Sequence, residues 1–100
     1  MRRLRILKSA ATDLADILDF IARQSGSLGA AQGFVQAIRS RCVELSNLPG
    51  TLGRQRPELR PDIRSVAFKG YVIFFRYGDD VIEIVNIVHG HRDLEQLFES

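Results

Sequence analysis

The 100-residue chain has one cysteine, three prolines confined to positions 49–61, and no long apolar run, and each shortage excludes something. A lone Cys42 cannot form an internal disulfide or build a multi-cysteine zinc site, so the chain is expected to work in a reducing compartment. The longest apolar stretches, 71–75 and 84–88 with Asn86 inside it, fall far short of the roughly 20 residues that cross a bilayer, so no membrane contact is expected. The opening Met-Arg-Arg-Leu-Arg-Ile-Leu-Lys never gathers the run of about seven apolar residues that a signal-peptide core needs, which points to a cytoplasmic protein. One hundred residues cannot support two cores that each offset their own ordering entropy, so residues 1–100 are expected to form a single domain.

Enzyme signatures are missing too. There is no G-x-S-x-G, no G-x-x-x-x-G-K-[ST] and no H-E-x-x-H, so serine hydrolase chemistry, nucleotide hydrolysis and zinc proteolysis have no support, and no cofactor is implied.

What is present is periodicity. Residues 3–8 alternate as a short first strand that ends at Ser9, an expected N-cap. Leu14, Ile17, Leu18 and Ile21 then fall on one stripe of a helix running to about Gln24, with Asp13, Asp16 and Asp19 read as its solvated face. After a turn at 25–29, Phe34, Ile38, Cys42 and Leu45 outline a second helix that must pack antiparallel to the first. Gly33 inside it costs about 1 kcal/mol against alanine, which predicts a close helix–helix approach at that point. Cys42 reads as a small apolar core residue.

Residues 49–61 read as a long loop. The period then changes to two, giving strands 62–68, 71–77 and 81–89 joined by turns at Lys69-Gly70 and Gly78-Asp79-Asp80, an antiparallel meander. Val81 to Val88 is apolar on both parities apart from Glu83 and Asn86, as expected of a strand covered on both faces. A short helix, 93–98, is expected to close one side of the sheet. The expected fold is therefore α+β: an N-terminal strand, an antiparallel helical hairpin packed on an antiparallel sheet with a three-strand meander, and a short C-terminal helix.

Net charge is only +2, but it is segregated. Residues 1–8 carry four positive charges and 54–76 carry six against Glu58 and Asp62, while the remainder is net acidic. Such a distribution predicts one basic face that steers an anionic partner. Arg54, Arg56, Arg60, Arg64 and Arg76, with His89, His91 and Arg92, are the candidate target-binding residues on this charge argument. Arg64 and Arg76 occupy strand positions able to converge on one sheet face. In extended chain His89, His91 and Asp93 would share one side as metal ligands, but a bend at Gly90 with Asp93 capping a helix destroys that facing, and no metal site is expected.

The chain resembles, over its whole length, the RelE/ParE superfamily of toxins from bacterial type II toxin–antitoxin modules, and within it the ParE branch. The resemblance is carried by Ala11-Thr12-Asp13-Leu14-Ala15-Asp16-Ile17, by Leu48-Pro49-Gly50 leading to Gly53-Arg54, and by Gly70-Tyr71-Val72-Ile73-Phe74-Phe75-Arg76-Tyr77. Above all it is carried by Val88-His89-Gly90-His91-Arg92-Asp93-Leu94, similar to the His-Gly-x-Arg-Asp ending of ParE sequences. RelE-type members that cut messenger RNA on the ribosome tend to carry a Lys-x-Lys pair on the second strand and Gly-Tyr-Arg on the third. The matching positions here hold Ile63, Ser65 and Gly70-Tyr71-Val72, and losing three cations removes most of the charge stabilisation that in-line attack on a phosphodiester requires.

The resemblance therefore implies a non-nucleolytic toxin with no catalytic residue, DNA gyrase as target, and a ParD-like antitoxin that folds onto it. Leu14, Ile17, Phe34, Ile38, Phe74 and Phe98 are the expected antitoxin contacts, and the basic residues would meet an acidic protein surface or DNA. One departure is Asn86, where many ParE sequences have arginine. The alternatives are a ribosome-dependent endoribonuclease using His89, His91 and Arg92, and a degenerate toxin that only pairs with its antitoxin.

Overall fold

The computed structural model describes residues 2–90. Its elements are β1 (Arg3–Ile6), α1 (Lys8–Ser25), α2 (Leu28–Asn47), β2 (Arg54–Gln55), β3 (Arg64–Phe68), β4 (Tyr71–Gly78) and β5 (Val81–His89). They build one five-stranded sheet in the order β1-β5-β4-β3-β2, with the helical hairpin on one face. The meander β3-β4-β5 is antiparallel as expected, but β1 lies parallel to β5, so the sheet is mixed. The expected helix at 93–98 lies outside the described residues.

Helix α1 begins one residue before Ser9, with Leu7 at the N-cap and no side-chain cap. The Ser9 hydroxyl instead donates to the carbonyl oxygen of Val85 on β5 at 2.5 Å. Gly26, at φ +70°, ends α1, its N–H returning to the carbonyl of Ala22. Ser27 then caps α2 by accepting the N–H of Ala30 at 3.1 Å. These two devices make the hairpin turn only two residues long. Gly33 does not mark a close approach: it is exposed, and an added Cβ would meet nothing within 4 Å.

Between the hairpin and the helix-covered face of the sheet sits the larger core. Leu14, Ile38, Cys42 and Leu45 pack against Ile73, Phe75, Ile82, Ile84 and Ile87. Burying each large side chain contributes about 1.5–3 kcal/mol relative to exposure. A smaller cluster, Ile63, Val72, Phe74 and Val85 with Leu7, Leu59 and Val88, occupies the opposite face. It is covered partly by the segment 56–63, of which 56–61 was expected to be plain loop and 62–63 the start of the strand that in fact begins at Arg64. That segment folds into a compact turn, with Leu59 and Arg60 N–H groups bonding to the Arg56 carbonyl and the Arg56 N–H bonding to the Ile63 carbonyl. Just before it, Gly53 at φ +83° lets the backbone pass Phe75: a Cβ there would lie 2.7 Å from Phe75 Cζ.

Strand β5 lies between β1 and β4 with apolar residues covered on both faces, as expected, and a bulge adds to its double-parity pattern. Phe74 pairs with Asn86 and Phe75 with Ile84, so Val85 is an extra residue, a β-bulge. The bulge reverses the alternation, and Ile82, Ile84 and Ile87 thereby all face the helices while Val85 and Val88 face the other way.

Candidate functional site: the helix-free face and the α1–β5 junction

Side chains alternate along a strand, so the pairing register fixes which face each candidate occupies. Phe74 belongs to the smaller cluster, on the face that carries no helix among the described residues and is called helix-free, and Phe75 to the helix-covered core. Arg64 pairs with Phe75 and Arg76 follows it in β4, so Arg64 and Arg76 point to opposite faces and do not converge as expected. Arg64 reaches the carbonyl oxygens of Leu52 and Gly53 at 3.5 and 3.4 Å and lies 5.9 Å from the Tyr77 ring, a tether for the 52–53 segment.

On the helix-free face Glu83 sits between two guanidinium groups. Arg76 Nε donates to Oε1 at 2.7 Å and Arg5 Nη1 lies 3.5 Å from Oε2. Arg5 and Glu83 are register partners, as are Glu83 and Arg76, so the three form a crosswise row over β1, β5 and β4. Across the sheet Arg54 pairs with Ser65, itself paired with Phe74, which puts Arg54 on the same face. Arg56 Nε donates to the Ser65 hydroxyl at 2.8 Å and Nη1 approaches Glu58 at 3.4 Å. The Glu58 carboxyl is held below its ordinary pKa, first by its own backbone N–H and then by Arg56.

Arg3, two residues before Arg5, joins this face, while Leu4 and Ile6 turn inward to the core. Arg3 and Arg5 were counted in the charge arithmetic but not named as site residues. The segregated N-terminal charge was the signal, and β1 lying beside β5 is what gives it a location. Arg60 is exposed in the 56–63 turn. His89 pairs with Tyr71, its ring 5.0 Å from the tyrosine ring, and so lies on the helix side, away from Arg54, Arg56 and Arg76. His91 and Arg92 lie outside the described residues, as does Asp93. Among the described residues no cluster of three metal-ligating side chains occurs.

The positions that would carry cations in a nuclease are filled by core. Ile63 and Val72 belong to the helix-free cluster at 0 and 6% exposure, and Ser65 is buried with its hydroxyl accepting from Arg56.

The hairpin side is different in kind. Leu14, Ile17 and Ile38, expected antitoxin contacts, are buried in this chain's own hairpin-side core, and Phe74, another, is buried in the cluster on the opposite face. A stripe at helical spacing meets whatever packs first, and here that is the sheet. Phe34 is half-buried against the Tyr71 ring, and Phe98 lies outside the described residues. Among the described residues the exposed large apolar side chains are instead Phe20, Leu28, Val43 and Leu48. Phe20 rims a recess of about 240 Å³ between α1 and β5, floored by Ile17, Tyr71 and Ile87.

Asp13 borders the same recess and is not a solvated surface acid. Strand β1 stops at Ile6, so among the described residues the outer edge of β5 beyond Ile84 has no strand beside it. Helix α1 takes its place. Asp13 Oδ2 accepts the N–H of Ile87 at 2.9 Å and Nδ2 of Asn86 at 3.0 Å, one turn after Ser9 takes the carbonyl of Val85.

Two solved structures share the overall fold. A chain of the chromosomal ParDE system of P. aeruginosa superposes with a TM-score of 0.78 at 25% identity, covering 91% of this chain and 98% of that one. A chain of the toxin–antitoxin complex RelBE2 of Mycobacterium tuberculosis gives 0.50 at 20% identity, covering 88 and 96%. The fold is thus shared with chains of ParDE and RelBE2 toxin–antitoxin systems. Residues 4–94 match the ParE toxin of the type II toxin–antitoxin system parDE, and the chain belongs to that family. No curated protein sequence matches it.

Proposed function

We propose that this ParE-type toxin acts in the cytoplasm by binding DNA gyrase and stalling it, without breaking a bond itself, and that a cognate ParD-like antitoxin silences it. The observation that carries the non-nucleolytic reading is the buried, apolar filling of the face at Ile63 and Val72, where RelE-type nucleases hold cations. Removing one preorganised charge-stabilising group costs a reaction about 3–4 kcal/mol of barrier, and here three are replaced at once. His89 does not compensate, because it lies on the opposite side of the sheet from Arg54, Arg56 and Arg76.

For the antitoxin, the exposed apolar residues of the hairpin, Phe20 above all, offer the surface on which an amphipathic segment buries its own apolar face. The deciding assay is supercoiling of relaxed plasmid by gyrase with the purified chain added. Loss of supercoiling with accumulation of cleaved plasmid, reversed by the antitoxin, is the expected result. Intact supercoiling together with defined transcript ends in a translating extract would replace this reading with the endoribonuclease one. Neither effect, with normal growth on induction, would leave a degenerate toxin.

A further inference from the structure

We propose that the helix-free face is a binding surface for the phosphate backbone of double-stranded DNA, engaged directly by this chain. Five arginines lie on it, Arg3, Arg5, Arg54 and Arg76 at its surface and Arg56 tucked against Ser65 and Glu58, opposed by Glu83 and Glu58. Three positive charges are left over. Arg3 and Arg54 make no ion pair among the described residues, and Glu83 is shared by two guanidinium groups.

The partner's chemistry follows from what surrounds these charges. A protein–protein interface wants an apolar centre inside its polar rim. The exposed large apolar side chains among the described residues belong to the hairpin and its end, none to this face. A polyanion backbone needs no such centre, and the planar guanidinium fork suits phosphate oxygens. Single strands are held largely by stacking on exposed aromatics, and among the described residues this face exposes none, which favours a duplex. The row from β1 to β2 crosses four strand spacings, about 19 Å, wide enough to reach phosphates of both strands across a groove. The choice of DNA over an RNA duplex rests on the gyrase reading above; the direct binding does not.

The test is fluorescence anisotropy of a labelled DNA duplex of about 30 base pairs titrated with the purified chain alone, without gyrase. Three neutralised phosphates predict affinity falling about 40-fold between 50 and 200 mM salt. The double variant Arg3→Ala/Arg54→Ala should weaken binding and flatten the logarithmic salt slope by about two, while Arg39→Ala, on the hairpin, leaves both unchanged. No binding at 50 mM salt would overturn the proposal, and so would equal loss in the Arg39→Ala variant, which signals net charge rather than a face. If the double variant loses gyrase inhibition while duplex binding stays the same, the face docks protein and the proposal is wrong. An RNA duplex bound as tightly overturns the DNA assignment alone. Supercoiling is read separately, so duplex binding with gyrase untouched would remove the target and not the surface.

Discussion

Phe74 and Phe75 are neighbours in β4, equally buried, and belong to different proteins in all but covalent bond. Phe75 faces the hairpin in a large core that two long helices close off, whereas Phe74 faces a smaller cluster roofed by the 56–63 turn and Leu7. One face of the sheet is spent on stability. The other holds only enough apolar contact to seat its arginines, and the contrast shows how a 100-residue chain keeps a charged surface flat and ordered while almost all its helix is used elsewhere.

The contrast can be broken by measurement. Phe75→Ala should cost about 3–5 kcal/mol in chemical denaturation, and Phe74→Ala about 1–2 kcal/mol less, because the turn above it can collapse into the space more readily than packed helices can. Equal losses would mean the two faces are one core. Next in size is a pH effect confined to the helix-covered side. Burial pushes the Cys42 thiol up to about 11, the adjacent Arg39 and Arg41 opposing this weakly. Above pH 9 the unfolded chain sheds that proton while the folded chain keeps it, so stability should fall between pH 9 and about 11 by up to about 1.4 kcal/mol per unit. Cys42→Ala should remove that slope, and a slope that survives would locate the titration elsewhere. Comparable in size is Asp13→Ala, which strands the N–H of Ile87 at the edge of β5 and should cost about 1–3 kcal/mol. Asp13→Asn keeps an acceptor and should recover most of it. A neutral Asp13→Ala would return that residue to the solvated surface.

Much of the fold was legible in sequence because its signals are local. The stripe at Leu14, Ile17 and Ile21 and the alternation after Arg64 each need only neighbours a few residues away. What stayed hidden depends on distant pairing. A one-residue bulge at Val85 turns an isoleucine from one face to the other, and nothing near Val85 in the chain announces it. The same limit governed the site. Arg54, Arg56 and Arg76 were recognisable as charge, but that Arg64 leaves them and Arg3 and Arg5 join them follows only from register and from β1 lying beside β5. Asp13 looked like an ordinary acid on the polar side of a helix, since its partners are more than seventy residues away.

The junction of α1 with β5 also limits how the molecule can assemble. An unprotected sheet border invites further strands, and accretion of that kind is how folded proteins polymerise by accident. Here a newcomer approaching past Ile84 must first evict Ser9 and Asp13, and at the far border β2 offers a template of only two residues. The border of β5 past Ile84 is thus closed by a helix, so an incoming strand cannot copy it there without unseating α1.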